Sequence, residues 1–143
     1  MEKRKVLIVD RDKGLVEALS MLLGAAGSFS IETAFDAGSG VSKARSFAPE
    51  VILTDLLPSS RCAGELRAGL SAGEGVPPVP VISLSEKGLV RPERAPVLLR
   101  GRRLMWDHVD WEGLLKLLEF RLPATYSSSA PLLTGRSRPK AAA

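Results

Sequence analysis

The chain has 143 residues, 45% of them hydrophobic and 25% charged, the composition of one folded domain rather than of a disordered chain. One cysteine and one histidine exclude a disulfide framework and any multi-cysteine or multi-histidine metal centre. Of the 20 basic side chains, Arg136, Arg138 and Lys140 lie in an acid-free segment from 123 onward, leaving 17 against all 16 acids, a near-neutral balance that argues against a domain coating nucleic acid.

In chain order, the β-branched apolar run 5–9 predicts a buried strand. It is far too short for a signal peptide or a membrane span, so a cytoplasmic protein without membrane contact is expected. Leu15, Val16, Leu19, Leu22 and Leu23 fall at helical spacing and predict a helix over 14–26, with Gly24 and Gly27 marking its exit. Alternation of Ile31, Thr33 and Phe35 predicts a strand over 30–35. A weaker helix over 37–48 rests on Val41, Ala44 and Phe47 and stops before Pro49. A buried strand follows over 51–54, then a short helix over 65–72 and a strand over 79–84. Pro92 and Pro96 break any helix over 86–101, and 104–106 reads as a brief strand. The last helix spans 110–122, with Trp111, Leu114, Leu115, Leu118 and Leu122 on one face. Beyond it, Pro123, three consecutive serines and a closing run of alanines predict a disordered basic tail over 123–143, after a single domain over 1–122.

Strands that alternate with helices predict an α/β domain with a mainly parallel, doubly wound sheet and helices on both faces. In such folds the functional crevice lies beyond the carboxyl ends of the strands. Here those ends carry Asp10, Asp12, Asp55 and Ser85. Crowded carboxylates need a proton, a basic group or a cation between them. Oxygen ligands favour Mg²⁺, and a carboxylate can also accept a phosphoryl group, to which a nearby hydroxyl would donate a hydrogen bond. Taken singly, each of these acids reads as a turn or cap residue.

Three segments resemble the receiver domains of bacterial two-component response regulators. Val6-Leu-Ile-Val-Asp10 is similar to the family's first strand and acidic turn. Pro49-Glu-Val-Ile-Leu-Thr-Asp55-Leu-Leu-Pro58 is similar to its third strand and phosphoacceptor loop. Pro80-Val-Ile-Ser-Leu-Ser85 is similar to its fourth strand with the switch hydroxyl last. The resemblance covers about residues 4–121, and the spacings Asp10 to Asp55 and Asp55 to Ser85 agree with it. It implies a flavodoxin-like, five-stranded parallel sheet of order 2-1-3-4-5. It further implies Asp55 as phosphoacceptor and Ser85 as switch hydroxyl. Mg²⁺ would be held by Asp10, Asp55 and the Leu57 backbone carbonyl. The implied partners are a histidine kinase or phosphotransfer protein and a downstream protein; a dimer is left open, and neither catalytic turnover nor specific nucleic-acid binding is implied.

The sequence departs from that family at three positions. Arg11 stands where the second metal-binding acid belongs, and Asp12 follows as a substitute ligand only if one residue of shift is tolerated. Glu86 replaces the small residue after the switch hydroxyl. Asp107, followed by His108, falls where the family has a lysine and a proline, with Arg100 an alternative for the basic role and Leu104 at the aromatic switch position. Arg11 and Asp107 exchange the family's signs, which suggests an Arg11 guanidinium seated among Asp10, Asp55 and Asp107 in place of metal. Two functions follow: a receiver switched at Asp55, or a degenerate receiver acting as a phosphorylation-independent interaction module. A small phosphotransfer or hydrolytic enzyme is a distant third.

Other motifs carry less. Gly69-Leu-Ser71-Ala-Gly73 matches a nucleophile elbow as a string, but a helix rather than a strand precedes it. Gly38-Ser-Gly40 lacks the third glycine of a dinucleotide fingerprint. His108 reads as a loop residue, the cluster around Arg102 and Arg103 as solvated surface, and Cys62 as incidental.

Overall fold

A computed structural model describes residues 3–57, 59–90, 98–99, 103–104 and 109–119. Among the described residues, six strands and four helices follow in the order β1 (Arg4–Val9), α1 (Lys13–Ala25), β2 (Phe29–Ala34), α2 (Ala37–Phe47), β3 (Val51–Thr54), α3 (Ala63–Ala72), β4 (Val81–Ser83), β5 (Leu98–Leu99), β6 (Arg103–Leu104) and α4 (Trp111–Glu119). The first four strands form one parallel sheet of order β2-β1-β3-β4.

Burial on both faces explains why β1 and β3 are continuous apolar runs rather than alternating ones. Strand alternation divides their side chains between two cores. Val6, Ile8, Leu53 and Ile82 pack under Leu15, Val16, Leu19 and Leu23 of α1 and Leu114, Leu117 and Leu118 of α4. Leu7, Val9, Ile52 and Val81 pack on the other face with Ala44 of α2 and Leu66 of α3. The domain is therefore α/β with helices on both faces of a parallel sheet.

The helix ends follow local chemistry. Asp12 caps α1, its side chain accepting from Leu15 N at 3.1 Å, and Gly27 leaves the helix at φ 83°. Asp36 caps α2 through Ser39 N at 2.7 Å, and Ala48 in a left-handed conformation ends it before Pro49. The weakly patterned α2 seats closely because Gly40 has no side chain: a Cβ there would lie 3.0 Å from Leu66 Cδ1 and 3.1 Å from Val9 Cγ2. At the opposite end of the sheet, the Arg4 guanidinium donates to the carbonyls of Leu118 and Glu119, tying β1 to the end of α4.

The predicted elements through residue 84 are present, shifted by up to two residues. The expected fifth parallel strand is not seen among the described residues. Leu104 belongs to β6, which pairs antiparallel with β5 and not with β4. Val90 and Val109 form an antiparallel bridge that closes the described chain ahead of α4. Trp106, Asp107, His108, Arg100 and the tail from 123 lie outside the described residues. Among the described residues no helix is long and apolar enough to cross a membrane.

Candidate functional site

Parallel register places the residues after β1 and β3 side by side, since Val9 pairs with Thr54. Asp10 and Asp55 follow these two and are buried, 1% and 3% exposed. Asp10 ties the loops together: its Oδ1 accepts from Asp12 N and its Oδ2 from Leu56 N, both at 2.9 Å. A carboxylate accepting two backbone N–H bonds across two loops is a structural joint as well as a charge.

Asp55 has φ 56°, a left-handed backbone that aspartate tolerates better than most residues. Alternation alone would send its side chain with Leu53 toward α1 and α4. Instead it meets groups on the α2–α3 side. Its Oδ1 accepts from the backbone N–H of Cys62, the residue before α3, at 2.6 Å, and its Oδ2 accepts from Ser83 Oγ at 2.7 Å. The negative charge thus sits at the positive end of α3. Ser83 is fully buried at the end of β4, and Glu86 N donates to its Oγ at 3.2 Å. The Ser83 proton being committed to Asp55, the 3.4 Å contact with Ser85 makes Ser85 the donor.

Sequence patterning singled out Ser85 and passed over Ser83. The hydroxyl bonded to Asp55 is that of Ser83, and half-buried Ser85 stands one hydroxyl farther along. Register sets Ser83 beside Thr54, next to Asp55, but strand alternation puts the two side chains on opposite faces, and only the positive φ of Asp55 brings them together. Cys62, read from sequence as incidental, is fully buried and supplies the N–H that holds Asp55. Burial pushes its thiol above the ordinary 9.0, helped by the Asp10 carboxylate and opposed by the Arg11 backbone N–H and guanidinium.

The inward Arg11 expected from the exchanged signs is not what the chain adopts. Arg11 is exposed; its Nη2 pairs with Glu65 Oε1 at 2.7 Å and its Nη1 donates to Ser60 O at 3.4 Å. A guanidinium in water avoids the desolvation cost that seating among buried carboxylates would impose. Glu86 likewise reaches α3, pairing with Arg67 at 3.4 Å. Both departures from the family pattern that fall within the described residues therefore form ion pairs with α3.

The expected metal ligands are otherwise engaged. Asp12 caps α1, both Asp10 oxygens and both Asp55 oxygens accept protein hydrogens, and Leu57 O accepts from Ser60 N at 3.1 Å. Among the described residues no group of three acidic, imidazole or thiol side chains is arranged to hold a metal ion. A cation entering here would therefore have to share or displace these hydrogen bonds. No family model matches the chain, and no curated protein matches it.

Proposed function

We propose that the protein is a degenerate receiver: a flavodoxin-like domain that works as a phosphorylation-independent protein-interaction module. One observation carries this reading. The Asp55 carboxylate is 3% exposed, with one oxygen bonded to Cys62 N and the other to Ser83 Oγ. An in-line attack on a phosphoryl donor needs a carboxylate oxygen presented to the crevice, and both are directed into protein hydrogen bonds. Glu86, where the family has a small residue, donates its backbone N–H to Ser83 Oγ and turns its carboxylate to Arg67. The finer reading includes a cytoplasmic location, output through a protein partner and no turnover of its own.

The alternative, a receiver switched by a histidine kinase or phosphotransfer protein at Asp55 with Mg²⁺, draws support from the left-handed backbone of Asp55. Sparsely populated conformations of this kind cluster at functional sites. Intact mass after incubation with acetyl phosphate and Mg²⁺ separates the two. No added mass is expected for the wild type or Asp55→Ala, and one phosphoryl group on the wild type alone would overturn the degenerate reading.

A further inference from the structure

We infer that the Arg11 side chain is a latch over the crevice, and that its release, not unfolding of the domain, sets access to the groups beneath. Arg11 leaves β1 on one side of the crevice, and its guanidinium ends on the other. It bridges Ser60 O at 3.4 Å and Glu65 Oε1 at 2.7 Å, residues two before and three after Cys62. The Cys62 thiol donates to the same Ser60 carbonyl at 3.7 Å, so thiol and guanidinium converge on one oxygen. Under that span, Cys62 is fully buried while its own N–H holds Asp55. The covering group is the exposed one: the Arg11 and Glu65 side chains are 55% and 64% accessible. A second exposed pair, Arg67 with Glu86, ties α3 to the loop after β4. The crevice is thus closed by two ion pairs that meet on one helix, both reachable by salt.

The latch rests on the reading of this crevice as a closed site, and it identifies what closes it. Cys62 is the one cysteine in the chain, so its alkylation reports opening at a single place. Solvent-exposed ion pairs bias such an equilibrium only a few-fold, so a moderate effect is expected.

The full-length protein would be labelled with uncharged N-ethylmaleimide at fixed pH and followed by intact mass, with urea unfolding of each variant in parallel. Slow wild-type labelling should accelerate about threefold in Arg11→Ala and by a similar factor when salt screens the pair. The charge exchange Arg11→Glu with Glu65→Arg should return the rate toward that of the wild type. Removing the Arg11 cation alone lowers the thiolate fraction and slows alkylation, so acceleration measures uncovering and not altered reactivity. Equal rates in wild type and Arg11→Ala would overturn the latch, as would rates that follow global unfolding across the variants. Alkylation reads closure and acetyl phosphate reads chemistry at Asp55, so either idea can fail while the other stands.

Discussion

Ser83 donates its hydroxyl proton to Asp55 Oδ2 at 2.7 Å, and both residues are buried at adjoining strand ends. This bond joins β4 to the turn after β3, and the Cys62 N–H on the other oxygen joins that turn to α3. Asp55 is therefore a three-way junction of the fold, whatever else it does. An acid in this position is kept by packing as much as by chemistry.

Removing either partner of that bond should cost stability. Ser83→Ala leaves a buried carboxylate one donor short, and hydrogen bonds to charged groups contribute about 1.5–3 kcal/mol. Asp55→Ala should cost more, because it strands two donors and places alanine at a positive φ. Asp55→Asn should fall between wild type and alanine, since asparagine accepts the left-handed backbone and can still receive a hydrogen bond. Urea unfolding ranks the three; a Ser83→Ala variant as stable as the wild type would remove the junction from the account.

The parts of this fold legible in the sequence are those where one physical signal dominates. β1 and β3 read as buried strands because a strand covered on both faces must be apolar throughout, and α1 read clearly from Leu15, Val16, Leu19 and Leu23. That Asp10 and Asp55 meet was legible because parallel strands bring their carboxyl ends to one edge. The direction of the Asp55 side chain was not, because a positive φ overrides strand alternation and no composition signal marks it. Ser85 was favoured over Ser83 because it falls at the strand end and at the spacing from Asp55 that the family resemblance implies. Arg11 was expected to turn inward by charge balance alone, an argument that omitted desolvation and the presence of Glu65 on α3. From Glu86 to Gly101 the prolines leave no periodicity to read, and Leu104 pairs antiparallel with β5 and not with the parallel sheet.

Thr54 offers a test of polar matching next to the junction. It is fully buried on β3, and its Oγ1 has no hydrogen-bond partner among the described residues. Its register neighbour Ser83 directs its hydroxyl to Asp55 instead. A buried hydroxyl without a partner costs about 1–3 kcal/mol, and valine has nearly the same shape. Thr54→Val should therefore be neutral to stabilising by about 1 kcal/mol in urea unfolding. A loss of more than about 1 kcal/mol would show that the hydroxyl is satisfied in solution.

Alkaline pH should weaken the fold through Cys62. Burial raises its thiol above the ordinary 9.0, so the folded chain keeps the proton to a higher pH than the unfolded chain does. Below about pH 9 both states are protonated and this contribution is complete. As pH rises further, the unfolded thiol ionises first, the unfolded state binds fewer protons, and stability falls until the folded thiol also ionises. Lys87 acts in the opposite sense, since burial lowers its pKa from 10.5 and the unfolded chain then binds the extra proton. The difference between wild type and Cys62→Ala cancels that opposing contribution. Stability of the wild type relative to Cys62→Ala should be flat from pH 7 to about 9 and decline above it. The decline should be no steeper than about 1.4 kcal/mol per pH unit, the limit for one proton. Urea unfolding of both proteins across this range gives the curve, and a relative stability that stays flat or rises above pH 9 would place the thiol in contact with water.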